Sequence, residues 1–376
     1  MKNNQLEKLS DYADYSKAKI SIAEIDTKCY FSTENMLPNK GGVTEAAGLP
    51  TQDNVTKVLP ENVLVSNIRP YFKKIYFANE LAGASNDVLC FVAKNGCLPR
   101  YLYYLLSSDS FFDYMMAGAK GTKMPRGDKG QIMNFPVWVP AQNEQSRIVS
   151  VLSALDEKIE NISKINHNLE EQAKAIYATY FPYSVDDALP DDWRKGTLGE
   201  IIDLHDSKRI PLSGNERGKM EKIYPYYGAA SLMDYVNDYL FDGVFLLLGE
   251  DGTVVTDNGL PVLQYVWGKF WVNNHAHILT GKAGFSVESL LLLLKQTPVK
   301  SIVTGAVQPK ISQANLKSIQ IVIPPEKLLQ EFNSVITPLF ALIRQNSEES
   351  KRLTQLRDSL LPKLMSGEID VSEVEI

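Results

Sequence analysis

Cysteine is scarce in this sequence, since only Cys29, Cys90 and Cys97 occur among 376 residues. So few, at irregular spacing, exclude a disulfide framework and a cysteine-based structural zinc site, and we expect small buried side chains instead. Long apolar runs are also missing: residues 244–248 and 290–294 fall far short of the ~20 residues that a membrane-spanning helix needs. No charged-then-apolar secretory signal follows Met1. We therefore expect a cytoplasmic protein that does not enter a membrane.

An excess of basic charge is absent as well, because 39 Lys and Arg residues face 45 Asp and Glu residues, for a net charge of −6. Proteins that bind a polyanion over their whole surface concentrate Lys and Arg to displace counterions from phosphates. The charge balance argues against that class of protein. Only local basic patches could contact nucleic acid.

The sequence also lacks the common catalytic motifs. There is no GxxxxGK[ST] phosphate loop, no GxGxxG after a strand and no Asn/Asp-Pro-Pro-Tyr/Phe run of an amino methyltransferase. Asp191, Asp206 and Lys208 echo the spacing of a metal-dependent nuclease, but Asp191 lies in an interdomain linker. His275 and His277 could offer two imidazoles on one strand, but no carboxylate or Cys partner is evident nearby. We predict no catalytic residue and no bound metal.

An internal repeat is the dominant feature of the sequence. The segments GTKMPRGDKGQIMNFPVWVP and GAVQPKISQANLKSIQIVIP carry Gly, Pro and Pro at the same spacings of 4 and 15 residues. The second segment follows the first at an offset of 184 residues, from Gly121 to Gly305. A long glycine-free stretch with helical periodicity follows each segment. A repeated pattern of this kind indicates a duplicated structural unit.

Both glycine-free stretches carry apolar residues at alternating steps of four and three, which is the seam of a coiled coil. We predict one helix from Glu144 to Phe181, about 57 Å long at ~1.5 Å per residue, and a second in the C-terminal segment. Asn166, Asn346 and Ser350 occupy seam positions and would fix the register. Pro338 predicts a kink or a late helix start. The apolar seam residues are Ile148, Leu152, Leu155, Ile159, Ile162, Leu169, Ile176, Phe332, Ile336, Leu339, Ile343, Leu353, Leu360 and Leu364.

The two remaining blocks contain short apolar runs between Gly, Pro and Asn turns, which is typical of mixed α/β lobes. We predict lobes over residues 1–140 and 185–325, a central helix and linker over 141–184, and a C-terminal helix and tail over 326–376. The predicted fold class is α/β (α+β), with two similar lobes joined by two long helices. If these helices pair as an antiparallel coiled coil, the arrangement has approximate two-fold symmetry.

Basic residues cluster in Gly-, Pro- and Ser-bearing loops of both lobes, where recognition residues tend to lie. Any one cluster is as consistent with a solvated surface as with a phosphate contact, but together they favour DNA binding. Gln131, Asn134, Gln308, Gln313 and Asn315 lie close by and could read base edges. The candidate DNA-binding residues are Arg69, Lys73, Lys74, Lys120, Lys123, Arg126, Lys129, Lys208, Arg209, Arg217, Lys219, Lys222 and Lys310.

The repeat with its helices resembles the specificity subunit of type I restriction-modification systems. The resemblance covers nearly the whole chain and is strongest in VPAQNEQSRIVSVLSALDEKIE and IPPEKLLQEFNSVITPLFALI. WRKGTLGEI, YPYYGAASLMDYV, LFDGVFLLLGEDG and SLLPKLMSGEI are also similar to that family, whereas LEKLSDYADY lacks the tryptophan that opens the second lobe at Trp193.

The resemblance implies two target-recognition domains, each reading one half of a bipartite double-stranded DNA site, with the helices setting the spacing. It also implies two modification subunits that supply S-adenosylmethionine, and restriction subunits that supply ATP- and Mg²⁺-dependent translocation and cleavage. This chain would bind no cofactor and would be non-catalytic. The alternatives are the targeting subunit of a related type II system, a non-DNA coiled-coil scaffold, and a metal-dependent nuclease built on Asp191, Asp206 and Lys208.

Overall fold

Residues 6–305 and 307–374 are described by the structure, which is a computed structural model. The chain divides into two compact units. Unit 1 contains the chain up to Asn161 together with the segment that begins at Ser350, and unit 2 contains Ile162–Glu349. Each unit therefore holds one mixed α/β lobe and one segment from each of the two long helices. No helix in the described ranges is both long enough and apolar enough to cross a membrane.

The first lobe is built from short strands and four short helices. Pro99 opens α2, where its missing amide removes no hydrogen bond, and Ser108 caps α3 by accepting from the Phe111 amide. Its elements are β1 (Glu7–Lys8), α1 (Leu9–Tyr12), β2 (Ala13–Tyr15), β3 (Lys19–Ser21), β4 (Tyr30–Phe31), β5 (Asn54–Val58), β6 (Val63–Ser66), β7 (Ile75–Phe77), β8 (Ala82–Ala84), β9 (Val88–Ala93), α2 (Pro99–Leu106), α3 (Asp109–Ala117), α4 (Lys129–Ile132) and β10 (Pro136–Val137).

These strands form two four-stranded sheets, in the orders β2-β9-β6-β7 and β3-β5-β8-β4, and a two-stranded ladder of β1 with β10. Every residue of β6 is buried, which fits its apolar residues Val63, Leu64 and Val65. The core of the unit lies between the sheet that contains β6 and the helices α2 and α3. There the ring of Phe111 contacts Phe91 edge to face at a centroid distance of 6.4 Å and Phe135 at 5.2 Å. The sheet therefore supplies a rigid base for the loops at its ends.

The second lobe has a larger sheet. Six strands follow the order β12-β17-β15-β16-β13-β14, in which only the β13–β16 pair is parallel, and β11 pairs with β18. Its elements are β11 (Arg194–Thr197), β12 (Ile202–Leu204), α6 (Gly214–Arg217), β13 (Tyr224–Tyr227), β14 (Leu232–Val236), β15 (Phe241–Gly249), β16 (Leu263–Val272), β17 (Ala276–Gly281), α7 (Val287–Leu294), α8 (Gln313–Lys317) and β18 (Gln320–Ile323).

Two long helices complete the units: α5 (Gln142–Tyr180) and α9 (Glu326–Met365). In unit 1, Arg357 of α9 pairs with Asp156 of α5 at 2.9 Å, and Arg147 bonds to Val374 beyond the end of α9. The earlier residue, Arg147, contacts the later one, Val374, while Asp156 contacts Arg357, so the two segments run antiparallel. The expected late helix start at Pro338 is wrong, because α9 begins at Glu326 and continues through the proline.

In unit 2 the same antiparallel pairing is present, with Tyr180 beside Phe332 and Asn166 beside Asn346 and Ser347. The two asparagines bond to each other, Asn346 Nδ2 to Asn166 Oδ1, at 2.9 Å. A polar pair inside an apolar seam fixes which residues face each other. All the predicted seam residues are buried or half-buried within their own units.

Candidate nucleic-acid interface

The repeated Gly-x-x-x-Pro segment forms the same clamped hairpin in both lobes. In the first lobe, Lys120 and Arg126 exchange both backbone hydrogen bonds at 2.9 Å, and in the second, Thr304 and Lys310 do so at 2.8 and 2.7 Å. Gly121 and Gly305 open the turns at φ +95° and +89°. A Cβ on Gly305 would lie 2.2 Å from the Gln308 carbonyl oxygen, so this turn requires glycine.

Each hairpin is fastened to the strand end beneath it by an equivalent pair of backbone bonds. In the first lobe, the Arg69 amide donates to Pro125 O at 2.8 Å and the Gly127 amide donates to Asn67 O at 3.2 Å. In the second lobe, the corresponding bonds run from Gly252 to Pro309 O at 2.9 Å and from Ile311 to Glu250 O at 2.8 Å. The hairpin bases are therefore fixed.

The tips of these hairpins are exposed. Thr122, Lys123 and Met124 form the first tip, and Val307 and Gln308 lie on the second. Val307 is 99% exposed, so its side chain takes no part in the packing of the lobe. A rigid base with an exposed tip is an arrangement that can enter a groove.

Cations surround the first hairpin. Lys73 pairs with Asp109 at 3.0 Å, Arg126 with Asp87 at 3.2 Å and Lys120 with Asp128 at 2.8 Å. Hydrogen bonding and charge from Lys120, with two backbone amides at the start of α4, lower the pKa of Asp128 to about 2. These pairs lie near water, where an ion pair contributes little stability, so their cations can exchange partners for phosphates.

Lys74 is the least accessible lysine of this group. Its Nζ donates to Thr33 O at 2.5 Å. Burial and the neighbouring Arg69 charge lower the pKa of Lys74, and Glu34 opposes them. Lys123 and Lys129 are exposed, on the hairpin tip and at the start of α4. The first lobe thus brings all seven of its predicted basic residues to the hairpin and the loops that touch it.

In the second lobe, the predicted basic residues divide into two groups. Lys208, Lys219, Lys222 and Lys310 are exposed, although Lys222 also binds Asp234 at 2.9 Å. Arg209 and Arg217 instead point into the lobe. Arg217 binds Asp234 at 3.1 Å and stacks over Tyr226, the buried tyrosine of β13.

Arg209 belongs to a buried ionic cluster that sequence reasoning missed. Its Nη1 binds Glu250 Oε2 at 2.6 Å and Ala276 O at 2.7 Å. His277, which is fully buried on β17, places Nδ1 2.6 Å from Asp206 Oδ2 and Nε2 2.8 Å from Ile311 O. Both ring nitrogens therefore lie within hydrogen-bond distance of an oxygen inside the lobe.

The two carboxylates of this ionic cluster are fully partnered. Burial alone would raise the pKa of Asp206, but hydrogen bonds from His277 and the Ile278 amide hold it below the usual value. Glu250 behaves alike: burial would raise its pKa, but the hydrogen bond from Arg209 and the charge of His277 outweigh burial and hold the pKa below its usual value. Lys310 also reaches Glu250, at 3.2 Å.

Oxygen and nitrogen atoms of Asp206, Glu250 and His277 lie within 4.8 Å of one another, a spacing that could hold a metal ion. Two cationic side chains already occupy the approach to Glu250, and the Asp206 oxygens accept from His277, Ile278 and Gln313. In this arrangement the three side chains are members of an ion-pair cluster and already have protein partners.

One expectation from the sequence is wrong here. The histidines do have carboxylate partners, since His275 contacts Asp251 and His277 contacts Asp206. That expectation failed because the cluster joins segments far apart in sequence. The nuclease alternative gains no support, because Asp206 is buried among its partners while Lys208 and Asp191 are exposed.

Most of the amides that could read base edges are engaged inside the lobes. Gln131 donates to Tyr114 O, Asn134 to Gly130 O, Gln313 to Asp206 and Asn315 to Ile302 O, at 2.6 to 3.0 Å. Gln308 is exposed on its hairpin tip. Asn134 and Gln313 are nevertheless exposed, as are Lys129 and Lys317, so the tips and the flanking helices both present side chains outward.

Duplicated lobes, antiparallel helix segments and paired hairpins together define a modular recognition protein. The family model described as "Type I restriction modification DNA specificity domain" matches residues 6–171 and 190–355. The second match begins 184 residues after the first, which is the repeat offset found in the sequence. The chain belongs to this family, and its two-lobed mixed α/β fold and its place among the non-catalytic DNA specificity proteins are confirmed.

Similar proteins carry the same description. The MjaIX type I restriction enzyme specificity subunit of Methanocaldococcus jannaschii is 25% identical over 85% of this chain and 80% of its own length. The HindI specificity subunit of Haemophilus influenzae is 22% identical over 96% of this chain and 100% of its own. The crystal structure of a type I S subunit from M. genitalium matches with TM-score 0.59 and 18% identity over 97% of both chains, so the fold is shared.

Proposed function

We propose that this chain selects the DNA site for a type I restriction-modification complex, with each lobe reading one half of a bipartite duplex sequence. The observation that carries the proposal is the hairpin that both lobes hold by the same backbone bonds, at Lys120–Arg126 and at Thr304–Lys310. Two equivalent, rigidly based hairpins suit two half-sites. The major groove displays a distinct donor and acceptor pattern for each base pair, so side chains at such tips can specify sequence.

The exposed cations position the duplex in this proposal. Phosphate contacts fix register and orientation without reading sequence. Arg209 and Arg217 leave the candidate set, because their donors are used within the second lobe. The remaining candidates are Arg69, Lys73, Lys74, Lys120, Lys123, Arg126, Lys129, Lys208, Lys219, Lys222 and Lys310.

The partners in this proposal are two modification subunits, docked on the long helices, and restriction subunits. S-adenosylmethionine would be held by the modification subunits, and ATP with Mg²⁺ by the restriction subunits, in the cytoplasm. The names of the curated relatives, which are type I restriction enzyme specificity subunits, support this assembly. The antiparallel helix segments would set the spacing between half-sites.

A net charge of −6 limits what the chain does alone. If modification subunits share the phosphate contacts, the isolated chain binds DNA weakly and the assembled complex binds strongly, with a steep dependence on salt. Fluorescence anisotropy of a labelled duplex, measured with and without modification subunits, tests this. The salt concentration is varied from about 50 to about 200 mM, a range over which phosphate contacts lose much of their affinity. Equal specific binding by the lone chain at physiological salt would contradict the proposal.

A lysine substitution sharpens this experiment. Lys123→Ala on the first hairpin should reduce the slope of log affinity against log salt by about 1, because one phosphate contact is lost. Lys19→Ala, on strand β3 outside the basic clusters, is the matched control and should leave the slope unchanged. If the assembled complex shows no preference for any duplex, the chain is a scaffold. If it directs a fused nuclease and modification enzyme, it serves a type II system.

A further inference from the structure

Arg69 and Gly252 occupy equivalent positions in the two lobes but differ in side chain. Each donates its backbone amide to the proline of the overlying hairpin, Pro125 or Pro309, at 2.8 and 2.9 Å. Each also has a left-handed backbone, with φ +50° at Arg69 and +82° at Gly252. Glycine adopts this conformation freely, whereas a long side chain does so rarely. The first lobe therefore keeps an arginine where the fold itself favours glycine.

A second, independent feature marks the same residue. Arg69 Nε is buried and has no hydrogen-bond partner among the described residues, and the nearby Asn67 Oδ1 is in the same condition. Buried polar atoms are nearly always paired in folded proteins, so each exception calls for an explanation. Backbone strain and an unpaired guanidinium nitrogen at one residue point to a functional constraint that packing of the lobe does not explain.

The backbone of Arg69 is held in a fixed place. The Arg69 amide binds Pro125 O, and its carbonyl accepts from Phe72 at 2.9 Å. A phosphate contact tolerates loose placement and can be made by the exposed lysines Lys120 and Lys123. A bidentate contact to a base edge needs a planar fork in a defined position, which is what arginine on a rigid backbone provides.

We propose that Arg69, set beneath the first hairpin, reads a base edge in the major groove of one half-site, and that the second lobe uses the same frame without this reader. The proposal rests on the proposed function. Arginine binding to guanine O6 and N7 is the commonest specific contact of this kind. At Gly252 no atom lies within 4 Å of the place a Cβ would take, so the second lobe leaves open space there. The two lobes thus share a scaffold and differ in the side chain that it presents.

The test uses the full chain, expressed with its modification subunit in a host that lacks other adenine methylation, and the bipartite motif is obtained by methylome sequencing. Arg69→Gly should make at least one base position degenerate in one half-site and leave the other half-site unchanged. Anisotropy with the wild-type motif duplex should show discrimination at that position falling by about 5- to 150-fold. Arg69→Lys should fail to restore it, because lysine cannot form the bidentate contact.

Folding is checked separately. Because Arg69→Gly relieves a left-handed arginine, its melting temperature should stay within about 2 °C of wild type. Glu61→Gly is the matched control, since Glu61 is exposed, has φ +70° and carries no cation. That control should keep the whole motif.

Three results would overturn the inference. An unchanged motif in Arg69→Gly would show that Arg69 reads no base. Full recovery by Arg69→Lys would assign the residue to a phosphate. A wild-type complex that methylates no bipartite motif would refute the proposed function itself and with it this inference, and this outcome is distinct because it appears before any substitution is made.

Discussion

Asp206 gives the sharpest test of what holds the second lobe together. Its side chain accepts from His277 at 2.6 Å, from the Ile278 amide at 2.9 Å and from Gln313 at 2.6 Å. Asp206→Asn keeps the shape and removes the charge. Removing one partner of a buried ion pair costs about 3–5 kcal/mol. We expect about 3 kcal/mol, the lower end of that range, because Arg209 keeps Glu250 as a partner.

Hydrogen exchange measures this cost locally. Opening of strand β17, which contains His277 and Ile278, should become about 100-fold faster in Asp206→Asn, since 1.4 kcal/mol corresponds to a factor of ten. Peptides from β9 in unit 1 serve as an internal reference. Asp203→Asn is the matched control, because its pair with Lys282 at 3.7 Å is exposed and contributes less than about 1 kcal/mol.

The pH dependence follows from the lowered pKa of Asp206. Burial opposes this shift, but the bonds from His277 and Ile278 outweigh it and stabilise the carboxylate. A carboxyl group whose pKa is lower in the folded than in the unfolded chain stabilises the fold at any pH above its unfolded pKa, which is near 3.8 here. That contribution is lost as the pH falls through the folded pKa. The difference between wild type and Asp206→Asn should therefore shrink below about pH 4. Exchange within about 3-fold of wild type at neutral pH would refute the role given to the cluster.

Three further predictions concern the helices. Replacing Asn166 and Asn346 together by Leu should raise the stability of unit 2 by about 1–2 kcal/mol in urea denaturation, because an apolar seam packs better than a polar pair, and a loss would contradict this role. Asp156→Ala should destabilise unit 1 by about 2 kcal/mol, since Tyr104 loses its acceptor and Arg357 loses one of its two carboxylate partners, whereas the exposed Asp113→Ala should change little. Deleting one heptad from α5 should change the tolerated spacing or the assembly while each half-site sequence stays the same. Altered half-site sequences in the methylome would contradict the spacer role.

Local sequence signals predicted the framework well. The long helices α5 and α9 lie where the apolar periodicity places them. The Gly and Pro spacing identified the repeated segments, and the structure shows that these segments form hairpins whose turns place Gly121 and Gly305 at positive φ. These features depend on neighbours in sequence, which a single chain displays directly.

Long-range contacts were not predictable in the same way. Asp206, Glu250 and His277 come together only because β17 pairs with both β12 and β15. Phe340 is buried outside the predicted seam, since it packs on Tyr265 of the lobe rather than on the other helix. The seam periodicity predicts only the face of α9 that meets the other long helix. It does not predict a second buried face, such as the one that packs on the sheet of the lobe.

Methylome sequencing tests the central claim most directly. A host that carries the modification subunit is compared with and without this chain, and adenine methylation is mapped across the genome. The account predicts a bipartite motif with two defined half-sites that disappears when only this chain is deleted. An unchanged methylome, in cells where assembly with the modification subunit has been verified, would contradict the claim that this chain selects the site.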